Sequence, residues 1–159
     1  MEVILLIIKV TKANIADAAK IYMESWKDSH KDICSFEFIE KHDLDYMIDY
    51  LKEKIKNNYN IFIDYNDEKP VGIVGINPAD EEVCLLYVSP EEQGKGFGTE
   101  LLNFALSKCK QPYITVLDSN KKAIEFYIKR GFVPSEIQPE NNKEKRIFER
   151  KYVYQNINM

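Results

Sequence analysis

The stretch best suited to chemistry is Gln93-Gly94-Lys95-Gly96-Phe97-Gly98. An apolar run, Val83-Cys84-Leu85-Leu86-Tyr87-Val88, leads into it through the turn residues Ser89-Pro90-Glu91-Glu92. Beyond it, Phe97, Leu101, Leu102, Ala105 and Leu106 recur at helical spacing. The order is therefore strand, glycine loop, helix. A helix start carries unpaired N–H groups and the positive end of its dipole. Glycines let that backbone approach a ligand, because no Cβ stands in the way. The chemistry expected of such a stretch is the cradling of a phosphate. Two familiar phosphate motifs do not fit. The Gly-x-x-x-x-Gly-Lys-Ser/Thr spacing is missing, and Gly94, Gly96 and Gly98 alternate instead of following Gly-x-Gly-x-x-Gly. A glycine turn needed only for tight strand–helix packing gives the same run, so the flanking residues have to decide.

Other reactive residue types carry less. Cys34, Cys84 and Cys109 are odd in number and lack metal or redox spacing. With no signal peptide they point to reduced thiols and a cytoplasmic protein. Cys84 lies in an apolar strand, where a lone cysteine usually acts as a small buried hydrophobe. His30 and His42 stand alone in the sequence and read as surface residues, so no metal is expected. The chain has 159 residues and a net charge of −4, and no basic run is dense enough to make it a general nucleic-acid binder. Lys143-Glu144-Lys145-Arg146 is mixed in sign and reads as a solvated loop. The length suits a single domain with a real core, and no linker or repeat divides residues 1–159. The apolar start, Met1 to Ile8, is too short to cross a bilayer and reads as an opening strand that begins as late as Ile7. No membrane partner is expected.

The elements that position the loop can be read from periodicity and turn chemistry. Asn14 is a candidate N-cap for a helix with Ile15, Ala18, Ala19, Tyr22 and Trp26 on one face. Ser29 to Glu40 reads as a loop with a short helical piece. Asp43 caps a further helix striped with Leu44, Met47, Ile48, Leu51 and Ile55, which Asn57-Asn58 ends. Asn60–Tyr65 and Val71–Asn77 form an antiparallel hairpin around Asn66-Asp67-Glu68-Lys69-Pro70. Pro78-Ala79-Asp80 turns into the strand before the glycine loop. After the loop helix come a strand over Tyr113–Leu117, a helix capped by Ser119 or Asn120 and closed by Gly131, and a strand from Phe132. Gln138 to Arg146 connects to a last strand over Ile147–Tyr154. Helices and strands alternate only in the second half, so the expected class is α+β, a mixed α/β sheet, rather than a doubly wound one.

Two segments resemble one known family. Leu86 to Leu102, with Gln93, Gly96 and Gly98 meeting a Gln/Arg-x-x-Gly-x-Gly/Ala pattern, looks like the acyl-CoA-binding motif of the GCN5-related N-acetyltransferases. Asn120-Lys121-Lys122-Ala123-Ile124-Glu125-Phe126-Tyr127-Ile128-Lys129-Arg130-Gly131-Phe132 resembles that family's Asn-x-x-Ala-x-x-Phe-Tyr-x-x-x-Gly-Phe segment. The element order is similar to the family's along nearly the whole chain. The resemblance implies a central, mostly antiparallel sheet flanked by helices, with the strand before the glycine loop and the next strand splayed apart around the cofactor's pantetheine arm.

It also implies site roles. Backbone N–H groups of Gln93, Gly94, Lys95, Gly96, Phe97, Gly98 and Thr99 would hold the pyrophosphate of acetyl-CoA, the expected cosubstrate. Leu86, Tyr87 and Val88 would pair with the pantetheine, the Val88 N–H polarising the thioester carbonyl. Asn120 would bond the pantetheine arm, and the Tyr127 hydroxyl would meet the sulfur. A hydrogen bond is the expected role for Tyr127, since full proton transfer to a thiolate is uphill by roughly 2 kcal/mol. Glu81 or Glu82 stands where some members carry a Glu that acts as base through water, although a charged turn rim is the plainer reading of both and positioning without a dedicated base is also open. The acceptor pocket is expected between the first two helices, roughly Tyr22 to Tyr50, and the final hairpin, with Trp26, Phe36, Phe38 and Tyr46 as lining; Asp28, Asp32, Glu37 and Asp43 fit the attraction of a cationic amine and a solvated loop equally. The expected activity is direct acetyl transfer to a primary amine on a small molecule, peptide or protein. The other reading is an idle acyl-CoA-binding module on the same fold. A homodimer is common in the family.

Overall fold

The computed structural model describes residues 6–32, 34–138 and 148–155. In chain order these form β1 (Leu6–Lys9), α1 (Ile15–His30), α2 (Phe36–Glu40), α3 (Leu44–Lys56), β2 (Asn60–Asn66), β3 (Lys69–Asn77), β4 (Glu82–Val88), a 3-10 turn (Pro90–Glu92), α4 (Phe97–Leu106), β5 (Tyr113–Leu117), α5 (Lys121–Lys129), β6 (Phe132–Pro134) and β7 (Glu149–Tyr154). Among the described residues the strands make one seven-stranded sheet in the order β1-β2-β3-β4-β5-β7-β6. Every neighbouring pair is antiparallel except β4 with β5. The expected mixed sheet flanked by helices is what the chain adopts.

Alternation along the strands gives the sheet two apolar faces. On one face, Ala18, Ala19, Ile21 and Tyr22 of α1 and Met47 and Leu51 of α3 pack on Ile61, Ile63 and Ile73. On the other, Leu101, Leu102 and Ala105 of α4 pack on Val74, Ile76, Val83, Ile114 and Val116. A fully buried Leu such as Leu101 or Leu102 stabilises by about 2–3 kcal/mol. α4, which begins at the glycine loop, is thus held to the sheet by its apolar stripe.

Local signals behave as their chemistry dictates, with one exception. The Asp43 carboxylate accepts from the Tyr46 N–H at 2.9 Å and starts α3. Gly131 ends α5 with φ 98°. Asp67 and Glu68 take positive φ in the β2–β3 turn. Asn14 precedes α1 but does not cap it. Its Oδ1 accepts from the Thr11 N–H at 2.8 Å and its Nδ2 donates to the Lys9 carbonyl, so the side chain folds back on β1. The opening strand runs from Leu6, and residues 1–5 lie outside the described residues, as do 139–146 of the expected polar loop and Ile147, the expected start of the last strand. The last strand begins at Glu149, with Phe148 just ahead of it.

Candidate functional site

β4 and β5 run parallel yet pair only at Glu82 with Tyr113, so beyond that point the two strands diverge. A bulge bends β4 in the same region. Cys84 faces Gly75 and Tyr87 faces Ile73, which leaves an extra residue on β4. Leu85 takes φ 54° there, a costly conformation for a leucine. Past the bulge, the Ser89 N–H donates to the Val71 carbonyl at 2.9 Å. The facing pair Gly72 and Val88 is therefore of the non-hydrogen-bonded kind. The N–H and C=O of Val88 point away from β3, into the gap. The Val88 carbonyl accepts from Ser25 Oγ at 3.0 Å and from Gln93 Nε2 at 3.2 Å.

The glycine loop lies at the open end of this gap. Gly94 has φ 78° and Gly96, at the N-cap position of α4, has φ 95°. A Cβ built on either would meet no heavy atom within 4 Å. These two glycines are thus required by backbone conformation and not by packing, and their surface is bare. No side chain caps α4, so its first N–H groups face outward with the helix dipole behind them. Together these features fit a pyrophosphate. Gly98 differs, since a Cβ there would touch Phe126 and Val88 at 3.5 and 3.6 Å.

Side chains around the loop brace it. Lys95 turns back to Glu92 at 3.0 Å, and Lys69 reaches the same carboxylate at 2.8 Å. The two ammoniums, Lys69 first, hold the Glu92 carboxyl below the usual range. Phe97 is buried and has only its backbone to offer a ligand. The Thr99 hydroxyl accepts from Arg130 Nε at 2.9 Å. Arg130 also donates to the Phe126 carbonyl and lies 3.7 Å from the Phe126 ring centroid, which ties α5 to α4 and brings a fixed positive charge beside the loop. Local sequence pattern assigns no role to Arg130, Ser25, Glu92 or Lys69, and to Lys95 only a backbone one. For Arg130 the only signal was its place next to Gly131.

Tyr127 comes from α5 and packs edge-on against Phe126 and Phe132, with ring centroids 5.2 and 5.5 Å away. Burial raises its pKa above the ordinary phenol range, and the nearby Tyr87 hydroxyl and Cys84 thiol add to that. Its hydroxyl thus belongs to the environment of the β4 bulge. Asn120 caps α5, its Oδ1 accepting from the Ala123 N–H at 3.1 Å. Cys84 is pushed up to about 12, by burial first and then by Glu82. At neutral pH it is a thiol.

The two candidate bases separate. Glu81 is structural: its carboxylate accepts from the Lys110 and Gln111 N–H groups, at 3.0 and 2.6 Å, and these hold its pKa down. Glu82 sits where β4 and β5 part. Burial raises its pKa, against the hydrogen bond donated by the Tyr113 hydroxyl at 3.2 Å. It lines a groove of about 470 Å³ with Tyr113, Thr115, Gln138, Glu149 and Lys151. This groove needs β7 beside β5, an adjacency that no local sequence pattern shows.

On the helical side, Trp26 is sandwiched between His30 and His42, with centroids 4.2 and 3.9 Å away, and Tyr46 meets His42 edge-on at 4.7 Å. The histidines that stand apart in sequence therefore share one aromatic stack. Helical spacing brings His30 beside Trp26, and the α2–α3 turn brings His42. Phe36 is 77% exposed at the mouth of a second cleft, about 530 Å³, bounded by α1, α2 and Pro90. Trp26 and Phe36 thus belong to neighbouring but distinct features. Among the described residues no three His, Cys, Asp or Glu side chains are placed to hold a metal ion, and no helix is long and apolar enough to cross a membrane.

Comparison with known proteins gives a consistent picture. The family model described as Acetyltransferase (GNAT) family matches residues 16–132. The uncharacterized N-acetyltransferase MJ1207 of Methanocaldococcus jannaschii is 26% identical over 142 residues, 80% of this chain and 60% of that protein. The tRNA(Met) cytidine acetyltransferase TmcA 2 of Saccharolobus solfataricus is 36% identical over 65 residues, 38% of this chain and 8% of that one. The matches thus take in less than two thirds of either curated relative. Among solved structures, the PaiA N-acetyltransferase of Thermoplasma acidophilum in complex with coenzyme A superposes with TM-score 0.70 at 21% identity, covering 95% of this chain and 99% of that one.

Proposed function

The chain belongs to the acetyltransferase (GNAT) family, and on that premise we propose that it is an N-acetyltransferase that moves the acetyl group of acetyl-CoA to a primary amine by direct attack. The observation that carries this reading is the opening between β4 and β5, with the outward-facing Val88 N–H along it and the bare glycine loop at its end. Acetyl-CoA supplies the activated thioester. The N–H groups from Gln93 to Thr99 bind its pyrophosphate, aided by the charge of Arg130. The exposed backbone edge from Leu86 to Val88 aligns the pantetheine as an added strand. The Val88 N–H stabilises charge developing on the carbonyl oxygen.

Tyr127 donates a hydrogen bond to the departing sulfur. Its raised pKa keeps the phenol protonated at neutral pH and makes outright proton loss to a thiolate still more uphill. Asn120 spends its Oδ1 on the α5 cap and offers its Nδ2 to the pantetheine arm. Glu82 accepts the amine's proton, directly or through water. Its raised pKa moves it toward the operating range of a general base. A route through an acetylated Cys84 is disfavoured, because a thiol held near 12 is a poor nucleophile.

The test is thermal denaturation with and without excess acetyl-CoA, with NADH and ATP as controls. Ligand at about 100 times its dissociation constant adds about 2.7 kcal/mol, which raises Tm by roughly 5–10 °C. A shift with acetyl-CoA alone supports the reading, and no shift refutes it. Binding without acetylation of any amine in a broad panel would point to an idle acyl-CoA-binding module instead.

A further inference from the structure

The helices α4 and α5 belong to opposite sides of the gap. α4 follows β4 through the glycine loop, and α5 follows β5 through Asp118-Ser119-Asn120. The sheet joins the two sides at the closed end alone, where Glu82 pairs with Tyr113. α4 is fixed on its side by Leu101, Leu102 and Ala105, all fully buried. Every residue of α5 keeps part of its surface exposed, and a helix of 9 residues depends on tertiary contacts to hold its place. The backbone bonds at its ends tie it to its own side. The Asn120 N–H donates to the Leu117 carbonyl of β5, and the Gly131 carbonyl accepts from the Gln155 N–H just past β7. At the open end Arg130 crosses. Its Nε donates to Thr99 Oγ1 in the first turn of α4 at 2.9 Å, and its Nη1 donates to the Phe126 carbonyl at 2.8 Å. The guanidinium lies 3.7 Å from the Phe126 ring centroid. That ring in turn rests on Gly98, where a Cβ would stand 3.5 Å from its Cζ. Among the described residues, the hydrogen bond that joins α5 to α4 is the one from Arg130.

We propose that Arg130 is a positioning residue that clasps α5 to the first turn of α4 and thereby sets the width of the gap at its open end. Thr99 belongs to the segment proposed to bind the pyrophosphate. Phe126 precedes Tyr127, which meets its ring edge-on at 5.2 Å. One guanidinium thus links the phosphate end of the site to the hydroxyl at its sulfur end. The role suits an arginine. Its planar fork aims two donors in fixed directions and lays a flat cation on a ring, which the point charge of a lysine does not reproduce. A gap too wide by about 1 Å takes the Tyr127 hydroxyl out of line with the sulfur, and misplacement of that size costs up to about 100-fold in rate. The kinetic half of the inference rests on the proposed acetyl-CoA site, and the clasp itself does not.

The central variant is Thr99→Val, which keeps the side-chain shape, the backbone N–H and the charge of Arg130, and removes only the hydroxyl. With the amine that wild type acetylates fastest in a broad panel, kcat should fall about 10-fold, while the dissociation constant of coenzyme A by calorimetry stays within about 3-fold. Added to Thr99→Val, Tyr127→Phe should cost less than about 3-fold more, against about 10- to 100-fold in wild type, because a hydroxyl no longer held in line has little left to lose. Arg130→Met tests the same link from α5. The double variant Thr99→Val with Arg130→Met should melt within about 2 °C of Arg130→Met alone. An unchanged kcat in Thr99→Val, or a full Tyr127→Phe penalty in its background, would overturn the positioning role. A weakened coenzyme A affinity with kcat unchanged would overturn it too and make the Thr99 hydroxyl a phosphate ligand. Additive Tm losses would overturn the clasp. Coenzyme A binding to wild type without acetylation of any amine would overturn the kinetic role alone, and no binding would sink the acetyl-CoA site as well, the Tm comparison then deciding the clasp.

Discussion

Substituting Gly96 by alanine separates a ligand cradle from a packing turn. At φ 95° an alanine pays the left-handed penalty of about 1–2 kcal/mol. The added Cβ meets no heavy atom within 4 Å, so no steric clash is added to that cost. For a domain of this size the loss amounts to a Tm drop of about 2–8 °C. The methyl group instead projects from the surface proposed to touch the pyrophosphate. The expected kinetic result is a KM for acetyl-CoA raised at least about 10-fold, worth about 1.4 kcal/mol of binding, with kcat changed far less. Differential scanning fluorimetry and steady-state kinetics on the same preparation read both quantities. An unchanged KM beside a lowered Tm would falsify the cradle. A Tm loss well beyond 8 °C would show that the open space around Gly96 is misread.

Two further predictions concern the chemistry. Tyr127→Phe keeps the ring contacts to Phe126 and Phe132 but removes the hydroxyl; kcat should fall about 10- to 100-fold while coenzyme A affinity measured by calorimetry stays within about 2-fold, and an unchanged kcat would reduce Tyr127 to a packing residue. For Glu82 the active form of a base is the carboxylate, and burial raises its pKa, so wild-type kcat/KM should climb with pH through a value above the ordinary carboxylate range. Glu82→Gln should remove that acid limb and lower the plateau by about 10²- to 10⁴-fold. A limb that survives in Glu82→Gln would assign it to another group.

The parts of the site that lie within one short segment were legible in the sequence. The glycine loop is read from strand, turn and helix signals that all fall between Val83 and Leu106, and the structure places the positive-φ glycines where backbone freedom is needed. The Asp43 cap and the Gly131 stop are equally local, each set by one side chain or by the lack of one. Local reading went wrong at Asn14, whose amide found a better partner set in Thr11 and Lys9 than in the α1 amides. It was silent on Arg130, whose target Thr99 is 31 positions away.

The sequence by itself determined the elements and their order, because periodicity, caps and turns act over a few residues. Only the tertiary structure decided which elements touch. It took the single β4–β5 pairing at Glu82 and Tyr113 to open the gap. It took β7 beside β5 to build the groove around Glu82. The packing of α4 on Gly72 covers the sheet face on which Asp64 is buried. Burial and charge proximity depend on contacts between segments far apart in the chain, so the pKa shifts of Glu82, Cys84, Tyr127 and Asp64 exist only once the sheet has closed around them.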